Sequence, residues 1–143
     1  MLFRSRYDRF ELDGLSAETL RQLLDESRIK WRVIAISACY SGSFVETLKS
    51  PNTLIMTASR RDRTSFGCGN ENDFTYFGEA YFSQALQKTH SFIDAFDLAK
   101  AAIAERESKE QLTPSEPQIF IGDAIRPKLA EIEARLEPAS AGH

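Results

Sequence analysis

Two short apolar runs constrain the fold of this 143-residue chain more than any other feature of its sequence. Residues 31–37 read WRVIAIS, and residues 53–57 read TLIMT. Runs this short, rich in β-branched residues and without polar alternation, are typical of strands that a parallel sheet buries on both faces. A third and weaker run, QIFI, occupies residues 118–121 and predicts another strand.

Helical patterns separate these three runs. Ser16 and Ser91 are good N-caps for helices that we expect to reach about Ser27 and Glu107. Further helical patterns cover residues 43–48, 76–89 and 125–136, while residues 8–12 suggest a short strand and residues 138–143 a frayed tail. Alternating strands and helices predict an α/β fold with a mainly parallel central sheet and helices on both faces. The length suits a single domain over residues 1–143.

Charge and hydropathy exclude several classes of partner. The net charge of −3 gives no electrostatic attraction to nucleic acid, so we expect no nucleic-acid partner. No apolar run approaches the roughly 20 residues that span a bilayer, so we expect no membrane contact from this chain. The chain as written is expected to be soluble and cytoplasmic by default, although a longer parent protein could carry a membrane tether. The basic run at residues 60–63 is interpreted as a solvated loop.

Cys39 is the residue whose position points to chemistry. It lies two residues beyond the first strand run, and Ser41-Gly42-Ser43 permit a tight turn into a helix. Functional groups of open parallel sheets lie beyond the carboxyl ends of the strands. A thiolate at this position would face a helix N-terminus and backbone N–H groups, which could also bind an oxyanion. The alternative, a buried cysteine that acts as a small hydrophobe, stays open on these residues alone.

Four separated blocks of sequence add a resemblance to a known family. They are SACYSGS at 37–43, MTAS at 56–59 with RDRTSFGC at 61–68, FTYFGEA at 74–80, and SEPQ at 115–118. In this order, between residues 33 and 122, they resemble the C13 peptidases, the legumain-like branch of the caspase clan, and their bacterial members in particular. The resemblance implies a caspase-like fold of three layers.

The same resemblance implies an activity and a site. It implies a cysteine endopeptidase in which Cys39 attacks the scissile carbonyl of a peptide or protein substrate, within a Cys–His dyad, and forms an acyl-enzyme. It also assigns the primary specificity pocket to Ser37, Thr64, Ser65 and Glu79. Legumains that cleave after asparagine carry glutamate where Ser37 stands, so we do not expect that specificity here. Glu79 would favour a basic or amide side chain, or is simply a polar residue near a helix start.

No cofactor and no metal are expected. Two cysteines and two scattered histidines do not fit the spacing of metal ligands, and no glycine-rich phosphate motif is present. The acidic turn at residues 70–73 is interpreted as a solvated turn rather than a calcium site.

The partner histidine of the dyad is missing from its expected place. The family supplies it from a His-Gly pair upstream of the nucleophile, whereas the only histidines here are His90 and His143. His90 is expected in a surface or cap role, and His143 in the tail. We therefore expect a domain truncated at its N-terminus, without the His-Gly strand, that has little or no peptidase activity and could form homo-oligomers through an exposed sheet edge. A genuine pseudo-enzyme is the alternative.

Two other functions stay open on the sequence. The chain could be a non-catalytic caspase-like module that binds peptides or partner proteins. It could also be a thiol-redox domain that uses Cys39 and Cys68, although it lacks a Cys-x-x-Cys pair. Cys68 is interpreted as a packing residue under the pocket loop.

Overall fold

A four-stranded sheet organises the part of the chain that this computed structural model describes, namely residues 2–4, 15–67 and 75–137. Its strands, in their order across the sheet, are β1 (Leu2–Arg4), β2 (Arg32–Ser37), β3 (Thr53–Thr57) and β4 (Gln118–Ile121). β1, β2 and β3 are parallel, with Arg32 opposite Thr53 and Leu2 opposite Ala35. The three strand runs predicted from residues 31–37, 53–57 and 118–121 are therefore confirmed, whereas residues 8–12 lie outside the described residues.

The direction of β4 was not predicted. It runs antiparallel to β3, with Gln118 opposite Thr57 and Ile121 opposite Leu54. The described part of the connection from β3 to β4 holds two helical stretches, residues 76–87 and Phe92–Lys109. The second ends beside the loop that follows β3, because Glu107 accepts from Ser115 and Ser115 from Arg60, so β4 begins at the end of the sheet where β3 finishes. The sheet is therefore mixed, with one antiparallel edge strand on a parallel core.

Helices cover both faces of the sheet, as predicted. On one face, Ile34, Ile36 and Ile55 form a core with Leu20 of α1 (Ala17–Glu26) and Leu48 of α2 (Phe44–Leu48). On the other face, Ala35, Leu54 and Met56 form a second core with residues of α3 (Tyr76–Gly78), α4 (Phe92–Lys109) and α5 (Ile125–Leu136). Because β2 and β3 alternate their side chains between these two cores, neither face of the central strands meets solvent.

Side-chain caps begin the helices where the sequence predicted them. The Ser16 hydroxyl accepts a hydrogen bond from the Thr19 N–H at 3.1 Å, and the Ser91 hydroxyl accepts one from the Asp94 N–H at 3.2 Å. In α1, Leu20 is buried whereas Leu23 is 50% exposed. In the described part of the chain no helix is both long and apolar enough to cross a membrane.

The segment from Tyr76 to Gln87 is not the regular helix that its pattern predicted. After α3 it continues as a π-helical stretch, Glu79–Gln84, and a 3-10 turn, Ala85–Gln87. The Phe77 and Tyr81 rings stack with centroids 5.7 Å apart, and the Tyr81 hydroxyl donates to the Phe92 carbonyl at 3.1 Å. Burial removes water from the Tyr81 hydroxyl and raises the pKa of Tyr81. Tyr81, which lies in the π-helical stretch, therefore links the start of α4 to the core.

A buried carboxylate ties the end of α4 to the loops beyond β3. Glu107 is 2% exposed, and its carboxylate accepts a hydrogen bond from the Ser115 N–H at 3.0 Å. The Ser115 carbonyl in turn accepts from the Arg60 N–H at 2.9 Å. α4 therefore ends near the carboxyl ends of β2 and β3.

Glu107→Ala should lower the free energy of unfolding by about 2–3 kcal/mol, because it leaves the buried Ser115 N–H without its acceptor. Urea denaturation measures this difference. Glu105→Ala is the matched control: its side chain is 67% exposed and pairs only with Lys109, so its removal should cost less than about 0.5 kcal/mol. Equal losses in the two variants would contradict a structural role for the buried carboxylate.

Candidate active site

Cys39 lies two residues beyond β2, at the edge where the parallel strands end, and is partly exposed. Its Sγ accepts from the Ser65 N–H at 3.4 Å and can donate to the Ser65 carbonyl at 3.4 Å. The Ser65 hydroxyl lies 3.7 Å from the same sulfur. Cys39 is a free thiol, and residue 65, from the loop after β3, fixes its position through three contacts.

The residue after Cys39 makes a sharp turn. Tyr40 has φ 58° and ψ 17°, the left-handed conformation, and its side chain is 52% exposed. Its N–H donates to the Arg63 carbonyl at 2.9 Å. Its own carbonyl accepts from the Ser43 N–H at 3.1 Å and from the Ser43 hydroxyl at 2.8 Å. These bonds hold the backbone on both sides of the turn.

Two fully buried serines join the loop after β2 to the loop after β3. The Ser41 N–H donates to the Ser59 hydroxyl, and the Ser59 N–H donates to the Ser41 hydroxyl, each at 3.3 Å. The Ser59 hydroxyl also donates to the Ala38 carbonyl at 3.2 Å. Because buried polar groups are costly to leave unpaired, these reciprocal bonds favour one arrangement of the two loops.

Gly42 allows the two loops to approach closely. A Cβ atom at this position would lie 2.5 Å from the Arg61 nitrogen and 2.8 Å from the Ser59 carbonyl oxygen. Residues 39–42 therefore pack backbone against backbone with residues 59–65. Glycine is needed at residue 42 because a side chain would not fit there, and not because its φ is unusual.

The predicted pocket residues Ser37, Thr64 and Ser65 lie close to Cys39 in the chain or in space. Ser37 is buried, and its hydroxyl lies 2.5 Å from that of Thr75. Thr75 also accepts from the Gly78 N–H at 3.0 Å and so caps α3. Ser65 contacts the sulfur, and Thr64 is the exposed residue beside it. Thr75 was missed in the sequence; its signal was a threonine directly before a helical pattern.

Glu79 has a cationic partner that the sequence did not reveal. Its carboxylate pairs with Arg106 of α4 at 3.1 Å. The Arg106 guanidinium lies 3.5 Å over the Tyr76 ring and also pairs with Glu110 at 3.2 Å. The Tyr76 hydroxyl donates to Glu110 at 2.6 Å, which lowers the pKa of that carboxyl and raises the pKa of the phenol. Glu79 thus faces α4 within a network of opposite charges.

His90 is exposed and lies far from Cys39. It precedes Ser91, the cap at the start of α4, whereas the other end of α4 reaches the loops beyond β3 through Glu107. At a rise of about 1.5 Å per residue, the helix separates these two ends by roughly 24 Å. His143, Cys68 and residues 70–73 and 138–143 lie outside the described residues, and the predictions that concern them stay predictions.

Gly42→Ala should lower the free energy of unfolding by about 1–3 kcal/mol, because the added methyl group forces the two loops apart. Thermal unfolding measures the loss. The same substitution at Gly78 is the control, since the backbone there is helical and a Cβ would meet only the Thr75 hydroxyl, at 3.1 Å. A Gly42→Ala protein as stable as the Gly78→Ala protein would contradict the close approach.

Comparison with known proteins identifies the family. The model of the peptidase C13 family matches residues 7–127, which span β2, β3, β4 and the whole site described above. A search of curated proteins returned no match. The family predicted from the four sequence blocks is confirmed, while the bacterial branch and the N-terminal truncation stay predictions. The chain belongs to the peptidase C13 family.

Proposed function

We propose that this chain is a cysteine endopeptidase domain with Cys39 as its nucleophile. The observation that carries the proposal is the position of Cys39, a partly exposed residue beyond the end of β2 whose sulfur is held by Ser65. The thiolate attacks the scissile carbonyl of a peptide, the amine leaves, and water releases the acyl group from the sulfur. Family membership supports the peptidase activity.

The Cys39 N–H is the best candidate for the oxyanion donor. The N–H groups of Tyr40, Ser41 and Ser43 are already bonded, to the Arg63 carbonyl, the Ser59 hydroxyl and the Tyr40 carbonyl. Among the described residues, the Cys39 N–H has no such acceptor. An amide next to the attacked carbonyl and free of an internal partner suits a developing oxyanion.

The first specificity pocket is proposed at Ser37, Thr64, Ser65 and Glu79. Ser37 and Ser65 present small polar side chains near Cys39, and Thr64 is exposed beside them. Arg106 offsets the charge of Glu79. We therefore propose that the pocket accepts an amide side chain about as well as a basic one.

The general base is the component that these residues do not supply. A base must come within hydrogen-bond reach of the proton that it removes, and His90 lies at the far end of α4. Because no base within the described residues meets this requirement, we expect little or no turnover of peptides by the chain itself. The same observation favours the second candidate function, a non-catalytic module that binds peptides or partner proteins at this site.

A peptide acyloxymethyl ketone should form a thioether with Cys39 in the intact chain, and the carboxylate of the reagent should leave. Mass spectrometry of the digested protein locates the adduct. Cys39→Ala should lose it, and Cys68→Ala should keep it. An adduct that persists in Cys39→Ala would contradict the assignment of the nucleophile.

A panel of fluorogenic peptides that differ at the residue before the scissile bond should show little or no turnover above that of Cys39→Ala. Turnover at ordinary peptidase rates that disappears in Cys39→Ala would contradict the expected inactivity and would require another base. If a peptide binds with equal affinity to wild type and Cys39→Ser while no adduct forms at Cys39, the binding module is the better description.

Arg106→Met should raise the preference for arginine over glutamine before the scissile bond by about 2- to 5-fold, because it leaves the Glu79 charge without its partner. The ratio of the labelling rates of two ketones with these side chains measures the preference. Lys109→Met is the control, since Lys109 pairs with Glu105 on the exposed side of the same helix. An unchanged ratio in Arg106→Met would exclude Glu79 from the pocket.

A further inference from the structure

Tyr40 combines two unusual properties beside the nucleophile. Its backbone is left-handed at φ 58°, a conformation that is rare for a bulky residue and far easier for glycine or asparagine. Its side chain is nevertheless 52% exposed, so the ring does not serve the core. Of the other non-glycine residues with positive φ, Arg28 and Gln111 follow the ends of α1 and α4, where this conformation is a common cap, and Glu116 lies just before β4. Tyr40 instead lies between a strand and a helix.

The backbone around Tyr40 keeps this conformation fixed. Its N–H is bonded to the Arg63 carbonyl, and its carbonyl accepts two hydrogen bonds from Ser43. The next residue, Ser41, is locked to Ser59. These bonds therefore fix the backbone from which the half-exposed ring projects. A half-exposed aromatic side chain, on a backbone held in an unfavourable conformation, indicates a role in function.

The contacts across the site show on which side of Cys39 the Tyr40 backbone lies. Ser37 contacts Thr75, and the residue after Thr75 bonds through its N–H to the Phe66 carbonyl at 3.1 Å. Next along the chain, Cys39 contacts Ser65, and after it Tyr40 contacts Arg63. The backbone of Cys39 therefore lies between Ser37, where the pocket is proposed, and the backbone of Tyr40.

This order sets the direction of a bound peptide. If the residue before the scissile bond fills the pocket near Ser37 and its carbonyl lies at the Cys39 sulfur, the leaving amine points towards Tyr40. An exposed aromatic ring contributes apolar area and a π-face, so it suits an aromatic or large apolar side chain. Small or charged side chains would gain little from it.

We propose that Tyr40 is a specificity-determining residue that binds an aromatic or large apolar group on the leaving-group side of the scissile bond. The proposal rests on the proposed function, because it takes Cys39 as the nucleophile. It adds a selectivity on the leaving-group side, from a residue that is separate from the four proposed for the first pocket.

Two peptidyl vinyl sulfones test this proposal without any need for turnover. They share one peptide and differ only in the sulfone substituent, phenyl or methyl, which extends to the leaving-group side. The Cys39 thiolate adds to the β-carbon of the vinyl group, water supplies a proton to the α-carbon, and no group leaves. The readout is the ratio of the phenyl to the methyl rate constant at Cys39, divided by the same ratio for glutathione.

This normalised ratio should be about 2- to 10-fold above one for the wild-type chain, the range expected of one aromatic contact. Tyr40→Phe should keep the ratio, because it keeps the ring. Tyr40→Asn and Tyr40→Gly should bring it to one, and both residues accept the left-handed backbone, so that either variant serves if the other folds poorly.

A ratio of one in the wild type, or a raised ratio that persists in Tyr40→Asn and Tyr40→Gly, would overturn the role of Tyr40 and leave Cys39 as the nucleophile. If neither sulfone modifies Cys39, the proposed function fails, and the role of Tyr40 fails with it. The site of modification therefore separates the two failures.

Discussion

The reciprocal hydrogen bonds between Ser41 and Ser59 are the interaction on which the rest of the site depends. They connect the loops that follow two neighbouring parallel strands, and they do so in the core, where water cannot replace them. Gly42 then brings the two backbones into contact. Once these loops are joined, Cys39 must lie against Ser65, and Tyr40 against Arg63. Ser41, Ser59 and Gly42 thus help to position the Cys39 sulfur, although its described hydrogen bonds are all with Ser65.

Much of the fold could be predicted from local sequence. The strand runs at residues 53–57 and 118–121 match β3 and β4, because β-branched residues bounded by polar ones fit a buried strand. The caps Ser16 and Ser91 were readable because a cap needs only a serine and the next three residues. Cys39 could be placed beyond β2 because the end of that strand run was also visible in the local sequence.

What the sequence did not reveal depends on contacts between distant residues. The pairing of Glu79 with Arg106, which lies 27 positions along the chain, has no local signal. The direction of β4 follows from the helical stretches before it. The sequence pattern of residues 76–89 does not show at which end of the strands this stretch finishes. The left-handed turn at Tyr40 was also unpredicted, since a tyrosine gives no warning of that backbone.

The bonds that position Cys39 have a consequence for how such a domain can evolve. Every contact described around the sulfur comes from serine hydroxyls, backbone groups and a missing side chain, and no histidine takes part in any of them. Within the described residues, the loops that hold the Cys39 thiol therefore do not depend on a histidine. A histidine could therefore be gained or lost elsewhere in such a domain without removing any of these bonds.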